Sequence, residues 1–208
     1  MSKVLFINGS PREDGCDAVA IEETVNELKK EGVESKVVWL GKTPMPDCMA
    51  CGKCQEIGKC VYDDAVNLVA AQLDDFDALV VATPVYYGGP TGRLQSFLDR
   101  LMYSAPNAKF AGKFAATITS CRRGGASECF ARMNQYFLMM NMTVVGSQYW
   151  NQIHGSNAEQ ARQDKEGLQT MRTLAQNLAW LLRCKEAGEK AGVKKPVYED
   201  KVFTNFIR

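Results

Sequence analysis

Four cysteines that lie close together in the sequence have the residue type and the spacing to bind a metal centre. They are Cys48, Cys51, Cys54 and Cys60 in the segment CMACGKCQEIGKC, with the spacing C-x2-C-x2-C-x5-C. Zinc sites usually use two CxxC pairs that a longer loop separates. Consecutive x2 spacings are instead typical of the ligands of a four-iron cluster. The quartet therefore favours a 4Fe–4S cluster with all four ligands in one segment.

The sequence alone leaves other interpretations of these four thiols open. A zinc ion, or free or oxidised thiols without any metal, are the alternatives. Disulfides are less favoured, because four thiols this close together would form strained pairings. Gly58 lies inside the x5 spacer and gives the chain room to turn back, so that four local cluster ligands are sterically reasonable.

The composition is typical of an ordinary globular chain. The sequence has 208 residues and a formal net charge of +1, which suits one domain over residues 1–208 and gives no reason to expect nucleic acid or an anionic membrane as a partner. No apolar run approaches the roughly 18 residues of a membrane span. The apolar part of MSKVLFINGS is too short for a signal peptide, so we expect a cytoplasmic protein whose thiols are kept reduced.

The elements that must position these cysteines alternate between short apolar runs and helical patterns. Strands are predicted at 3–8, 36–40, 78–82, 113–119 and 143–146. Helices are predicted at 17–31, 64–73, 91–103 and 126–141, with a long helical stretch at 157–187 that is broken near Gly167. This alternation predicts an α/β fold with a doubly wound, five-stranded parallel sheet. Residues 47–62 are interpreted as a Cys-rich insertion after strand 2, and residues 189–208 as an extended C-terminal tail.

The loop after the first predicted strand has the features of an anion-binding site. It runs from Asn8 to Cys16 and leads into a helix, whose free N–H groups at the N-terminus bind phosphate groups. Ser10 adds a hydroxyl and Arg12 a positive charge. The loop lacks both the GxGxxG fingerprint and the GK[ST] of a P-loop. A mononucleotide phosphate therefore fits it better than NAD or ATP.

Several short motifs then identify a family. GSPR after the first strand, TPVYYG after the third and a helix ending in FLDR resemble the NADPH-dependent FMN reductases of the flavodoxin-like fold. The Cys-rich insertion, RRGGA and the closing TNFIR resemble the subgroup that includes iron–sulfur flavoproteins. The resemblance implies an FMN cofactor, the strand order 2-1-3-4-5 and redox chemistry.

The predicted cofactor site combines three loops at the carboxyl ends of strands. Its residues are Ser10, Arg12, Gly15, Cys16, Asp17, Pro84, Val85, Tyr86, Tyr87, Gly88, Ser120, Arg122, Arg123, Gly124 and Gly125. The TPVYYG loop would border the flavin ring, and an arginine of the RRGGA loop would stabilise negative charge on the reduced flavin. Asp17 departs from the family, because a carboxylate stands where a hydroxyl usually contacts the phosphate.

The main hypothesis is an NAD(P)H-dependent flavin oxidoreductase that passes electrons to a small acceptor such as a quinone or a free flavin. The first alternative is an electron carrier in which a cluster at the quartet takes electrons from a ferredoxin and passes them to FMN. The second is a flavin-binding regulatory or interaction protein. The apolar tail and the family resemblance predict a homodimer or a homotetramer. We also expect the cysteines to lie near the carboxyl edge of the sheet, beside the flavin.

Overall fold

The sheet of the computed structural model, which describes residues 2–200 and 202–204, is wholly parallel. Its order is β2-β1-β3-β4-β5, and a sixth strand, β6, also pairs with β4. The strands are β1 (Lys3–Asn8), β2 (Glu34–Trp39), β3 (Ala78–Pro84), β4 (Phe114–Cys121), β5 (Thr143–Val144) and β6 (Gln152–His154). The strand order is the one that the family resemblance implies.

Helices cover both faces of this sheet. They are α1 (Cys16–Lys30), α2 (Lys53–Ile57), α3 (Ala65–Gln72), α4 (Gly92–Ser104), α5 (Ala126–Met139), α6 (Ala158–Ala161) and α7 (Lys165–Lys190), with 3-10 turns at Leu73–Asp75 and Asn107–Lys109. One apolar core joins the sheet to α3, α4 and α5, and a second joins it to α1 and α7. Because β1, β3 and β4 lie between these two layers, they are buried at nearly every position, and most of their residues are apolar.

Two regions differ in detail from the sequence prediction. The fifth position of the sheet is filled by two short strands, since β5 pairs with the start of β4 and β6 with its end. The helical stretch near the C-terminus breaks at 162–164, because Asp164 caps α7 by accepting a hydrogen bond from the Gly167 amide at 2.9 Å. This helix continues to Lys190, so the tail begins later than predicted, and its residues 201 and 205–208, including most of TNFIR, lie outside the described residues.

The Cys-rich segment follows β2, as predicted, and contains the short helix α2. It does not join the sheet, and Cys60 packs against the apolar core on the α3–α4 side, as does Met45 just before the segment. None of the helices in the described part of the chain is long and apolar enough to cross a membrane.

Gly9 sets how closely the loop after β1 approaches α4. A Cβ atom added at Gly9 would lie 2.7 Å from Cβ of the buried Leu94, and the Thr91 hydroxyl donates a hydrogen bond of 2.8 Å to the Gly9 carbonyl. We predict that Gly9→Ala lowers the free energy of unfolding by about 1–3 kcal/mol, because the loop or the helix must move. Urea unfolding measures this change.

Gly92 provides the matched control for this prediction. It is the first residue of α4, and a Cβ atom there would meet no heavy atom within 4 Å. Gly92→Ala should therefore leave stability unchanged or raise it by up to about 1 kcal/mol. Equal stability of the two variants would contradict the proposed close packing at Gly9.

Candidate functional site

The loop between β1 and α1 is held in shape by its own side chains. The Asn8 carboxamide oxygen accepts a hydrogen bond from the Ser10 amide at 3.0 Å, and the Ser10 hydroxyl accepts one from the Arg12 amide at 3.2 Å. From β2, the Trp39 indole N–H donates to the Ser10 carbonyl at 2.8 Å. Asn and Ser form such local turns readily, so the loop is ordered without a ligand.

Helix α1 begins at this loop without a side-chain cap. Gly15 is the N-cap residue and has no side chain that could accept from the first-turn amides. Those amides and the positive end of the helix dipole together favour an anion at this point. Arg12 adds a guanidinium group, which donates to the Ser156 carbonyl at 3.2 Å and so links this loop to the segment after β6. The arrangement suits a phosphate group.

A cavity of about 280 Å³ opens at this loop, at the carboxyl end of the sheet. This volume is close to the low end of the range for small-molecule pockets, about 300 Å³. Four chain segments meet there because β1, β3, β4 and β6 are parallel and all end at the same edge. The lining residues are Ser10, Pro11, Arg12, Gly15, Cys16, Asp17, Pro84, Val85, Tyr86, Ser120, Cys121, Arg122, Gly155 and Ser156.

The cavity brings together most of the residues that the sequence predicted for the cofactor. Tyr87, Gly88, Arg123, Gly124 and Gly125 are the predicted residues that do not line it. Four lining residues were missed by the sequence analysis: Pro11, Cys121, Gly155 and Ser156. Gly155 and Ser156 follow a strand of only three residues, which the apolar pattern does not reveal.

The TPVYYGG loop forms a tight hairpin beside the cavity. Tyr86 and Gly89 exchange backbone hydrogen bonds of 2.8 and 2.9 Å, and the two residues between them have φ angles of +52° at Tyr87 and +78° at Gly88. Positive φ at both central residues is the signature of a type I′ turn. Tyr86 therefore borders the cavity, while the Tyr87 side chain at the tip is fully exposed.

The RRGGA loop approaches the cavity with only one of its two arginines. Arg122 lines the cavity, whereas Arg123 is exposed outside it. Gly125 packs against the TPVYYGG hairpin, since a Cβ atom there would lie 3.0 Å from Val85 Cγ1 and 3.3 Å from the Gly88 Cα. Gly125 thus supports the hairpin, and Arg122 is the arginine placed to act on a ligand.

Asp17 is the second residue of α1, directly after the loop between β1 and α1, and it is 1% exposed. The Ser120 hydroxyl on β4 donates to its Oδ2 atom at 3.0 Å, while Oδ1 has no hydrogen-bond partner in the described structure. Burial raises the pKa of Asp17 to about 7, although the hydrogen bond from Ser120 opposes this rise. The carboxyl group therefore changes charge near neutral pH.

The four clustered cysteines surround a second, narrow cavity. Cys48, Cys51, Cys54 and Cys60 all line it, and none of them forms a disulfide. The chain turns repeatedly between them, with left-handed backbone at Ala50, Gly52 and Gly58. The Gly58 turn is the one that the sequence analysis expected in the spacer before Cys60.

The four thiols, as the structure places them, do not form a site for a single metal ion. Among residues 2–200 and 202–204, no three His, Cys, Asp or Glu side chains converge closely enough to hold one metal ion. A tetrahedral zinc ion would need its thiolates roughly 3.8 Å apart, since each Zn–S bond is about 2.3 Å. A cube-shaped four-iron cluster holds four thiolates farther apart. The cavity has a volume of about 20 Å³, so the cysteine segment would have to widen as a cluster assembles.

Arg100, the arginine of the FLDR motif, attaches the cysteine segment to α4. Its side chain is 1% exposed and forms a two-pronged ion pair with Asp64, at 2.7 and 2.9 Å. It also donates to the Cys60 sulfur at 3.2 Å and to the carbonyls of Pro46 and Tyr62 at 3.4 and 3.3 Å. Asp64 itself caps α3 by accepting from the Val66 amide. One buried cation therefore links α3, α4 and both ends of the cysteine segment.

The cysteines do not lie at the carboxyl edge of the sheet, so that part of the sequence prediction is wrong. They pack against Arg100, Tyr103 and Ser104, near the end of α4, whereas α4 begins beside the TPVYYGG hairpin. At ~1.5 Å per residue, Arg100 lies about 12 Å along the helix from Gly92. No described residue lines both cavities. A larger cavity than these two, about 840 Å³, lies farther toward Pro106 and Met140, and no residue of the loop between β1 and α1 lines it.

Comparisons with known proteins concern the family and the fold. The family model of NADPH-dependent FMN reductases matches residues 2–156. An iron–sulfur flavoprotein of Methanocaldococcus jannaschii is 28% identical over 188 residues, which cover 87% of this chain and 97% of that protein. One of Methanosarcina thermophila is 27% identical over 184 residues, 86% of this chain and 95% of that protein. An archaeal flavodoxin structure has a TM-score of 0.59 at 18% identity, covering 87% of this chain and 99% of that one, so the fold is flavodoxin-like.

The contacts of Arg100 predict that Arg100→Met weakens the attachment of the cysteine segment. The change leaves the Asp64 carboxylate and two carbonyls without their buried donor, so we expect a loss of about 3–5 kcal/mol in the free energy of unfolding. Urea unfolding measures this loss, and hydrogen exchange should show faster exchange in residues 46–64.

Arg183→Met is the matched control for this variant. Arg183 also pairs with a carboxylate, Glu31, at 2.7 Å, but its side chain is 52% exposed. An exposed pair contributes about 1 kcal/mol or less. If Arg100→Met unfolds at the same urea concentration as Arg183→Met, the buried arginine does not anchor the segment.

Proposed function

Because the chain belongs to the NADPH-dependent FMN reductase family, it is a flavin oxidoreductase, and we propose that it binds FMN in the cavity at the carboxyl edge of the sheet. We further propose that NAD(P)H is the electron donor and that a quinone, a free flavin or a similar small molecule is the acceptor. One observation supports the proposal above all: the β1–α1 loop, the TPVYYGG hairpin and Arg122 all border one open cavity.

The β1–α1 loop would hold the phosphate of the cofactor. Ser10, Arg12 and the uncapped amides at the start of α1 supply a hydroxyl, a positive charge and N–H donors within one loop. Trp39 and Asn8 already fix this loop, so little ordering would be needed on binding.

The hairpin and the RRGGA loop would border the flavin ring. Pro84, Val85 and Tyr86 line the cavity, and an aromatic side chain there suits a planar ligand. The bound FMN supplies the transfer of hydride and of single electrons. Arg122 supplies positive charge at the same place, which favours the reduced, negatively charged form of a bound ligand. The cavity is open to solvent, so that a donor and an acceptor can reach it in turn.

A second function is favoured by the cysteine quartet. Four free thiols line one cavity, and the relatives from two archaea are named iron–sulfur flavoproteins. We propose that Cys48, Cys51, Cys54 and Cys60 hold a 4Fe–4S cluster, with a ferredoxin as a candidate electron source. Such a cluster exchanges single electrons, and hydrogen bonds to its sulfurs are one lever on its potential. The N–H of Arg100 that faces the Cys60 sulfur is such a hydrogen bond.

We also propose an assembly and a location for this protein. A homodimer or a homotetramer fits a tail with exposed apolar side chains, among them Val197, Val202 and Phe203. The proposed cytoplasmic location fits the eight cysteines, which all lack disulfides.

FMN reduction by NADPH tests the main proposal. Under anaerobic conditions the FMN-loaded protein should lose its flavin absorbance rapidly on addition of NADPH or NADH. Arg122→Ala should slow this reduction or weaken FMN binding several-fold, because it removes positive charge from the cavity wall. Stopped-flow absorbance gives the rate, and quenching of flavin fluorescence gives the dissociation constant.

Arg123→Ala is the matched control, since Arg123 is the neighbouring arginine outside the cavity. Its rate and dissociation constant should match those of the wild type. If the wild type and both variants had the same reduction rate and the same dissociation constant, Arg122 would have no role in FMN binding or reduction. Reduction by reduced ferredoxin alone, with no reaction with either nicotinamide, would favour the electron carrier over the reductase.

Iron and sulfide analysis tests the cluster. Protein purified without oxygen should hold about four irons and four sulfides per chain, and Cys54→Ser should lose most of both. Cys184→Ser is the matched control, because Cys184 is exposed on α7 far from the quartet in sequence. Fewer than one iron per chain in the anaerobic wild-type protein would refute the cluster.

A further inference from the structure

Asp17 is a buried acidic group inside a loop that is built to bind an anion. It is the second residue of α1 and lines the proposed FMN cavity together with Ser10, Arg12 and Gly15. Its side chain points away from solvent toward β4, where the Ser120 hydroxyl donates to Oδ2, and hydrogen bonds from the Ser10 side chain and the Asp17 amide also act on the carboxyl group. The Oδ1 atom is buried without a hydrogen-bond partner in the described structure. A buried carboxylate with one oxygen left without a partner is poorly stabilised.

No positive charge in the described structure pairs with Asp17. Arg12 donates to the Ser156 carbonyl, and Arg122 lines the cavity with an exposed side chain and is not among the groups that shift the pKa of Asp17. Two thiols face Asp17, Cys16 from its own helix and Cys129 from α5. Burial, and then Asp17 itself, raise the pKa of both thiols, so both are neutral at pH 7.

The remaining ionisable groups of this region lie farther from the carboxyl group. Cys121, the last residue of β4, is buried and has a pKa that burial raises. Glu13 and Asp14 are exposed in the loop, and His154 on β6 lies 3.5 Å from Asp164. The charge of Asp17 is therefore set by its burial and by whatever binds in the loop.

A phosphate in the loop would bring two more negative charges to this carboxyl group. Above about pH 6 a phosphate monoester is mainly a dianion. Two like charges at close range in a partly dry site repel each other strongly. A proton on Asp17 removes this repulsion and turns one of its oxygens into a hydrogen-bond donor.

We propose that FMN binds with Asp17 protonated, so that phosphate binding takes up one proton from the solvent at and above neutral pH. The proposal deepens the proposed function and rests on FMN binding at this loop. It also gives the departure of Asp17 from the family pattern a consequence, because a hydroxyl at this position would bind the phosphate without any such proton.

The direction of the pH dependence follows from the pKa of about 7 that burial gives Asp17 in the free protein. Below this pH the proton is already present, and binding needs no uptake. Above it each binding event must take a proton from solution, so the affinity for FMN should fall by up to tenfold per pH unit. The phosphate of FMN is already a dianion in this range and does not add to the slope.

The test measures FMN dissociation constants by fluorescence quenching between about pH 6.5 and pH 8.5. The wild-type constant should rise steeply above pH 7, whereas that of Asp17→Asn, which has no carboxyl proton to gain, should stay nearly flat and be lower at high pH. Riboflavin, which lacks the phosphate, should show no slope with either protein. Asp14→Asn is the matched control, since it removes an exposed carboxylate from the same loop and should keep the wild-type slope.

Calorimetry on the wild-type protein adds a measurement that needs no variant. FMN titrations near pH 8, in two buffers with different ionisation enthalpies, should report an uptake approaching one proton. An uptake near zero, or a slope in folded Asp17→Asn equal to that of the wild type, would overturn the proton linkage while FMN binding stands. Failure of every protein to bind FMN at pH 6.5 would overturn the proposed function and the linkage together.

Discussion

The parallel direction of every strand is the constraint on which both sites of this protein depend. Parallel strands all end at one edge, so the loops after β1, β3, β4 and β6 meet there and form the cavity. Each connecting helix must then run back toward the opposite edge before the next strand can begin. Helix α4 begins beside the cavity and ends near the start of β4, and it carries Arg100 toward that other end. Because of this topology, the loops that form the cavity lie at one edge of the sheet, and the cysteines lie near the other end of α4.

Each of the two sites contains a buried ionisable side chain, Arg100 or Asp17, and the two differ in how fully they are hydrogen-bonded. Arg100 has acceptors for its whole guanidinium group: a carboxylate, a sulfur and two carbonyls. Such a fully hydrogen-bonded cation fixes one arrangement of the chain around it. Asp17 has no positively charged partner in the described structure, and its Oδ1 atom has no hydrogen-bond partner there. An under-stabilised charge of this kind responds to pH and to a nearby ligand, whereas a saturated one acts as a structural anchor.

Much of the fold could be predicted from the sequence because the buried strands are marked by continuous apolar runs. The first strand was predicted at its observed bounds, and the third and fourth differ only at their ends. The residues of the β1–α1 loop could also be predicted, because Gly, Ser, Pro and Arg at a strand–helix junction suggest a phosphate site. The strand β6 could not be predicted, since three residues carry no period and its pairing depends on the end of β4.

The position of the cysteines was harder to predict, for a physical reason. Their spacing concerns only local geometry, and a segment that follows β2 can pack on either edge or on a face of the sheet. The position of the segment is set by contacts between residues far apart in sequence, since Arg100 binds Asp64 and Cys60. The FLDR motif contains the signal, because an arginine on the buried side of an amphipathic helix needs acceptors from elsewhere in the chain. Since those acceptors lie in and beside the cysteine segment, the segment is attached to the helix layer and not to the sheet, and none of its residues lines the cavity at the carboxyl edge.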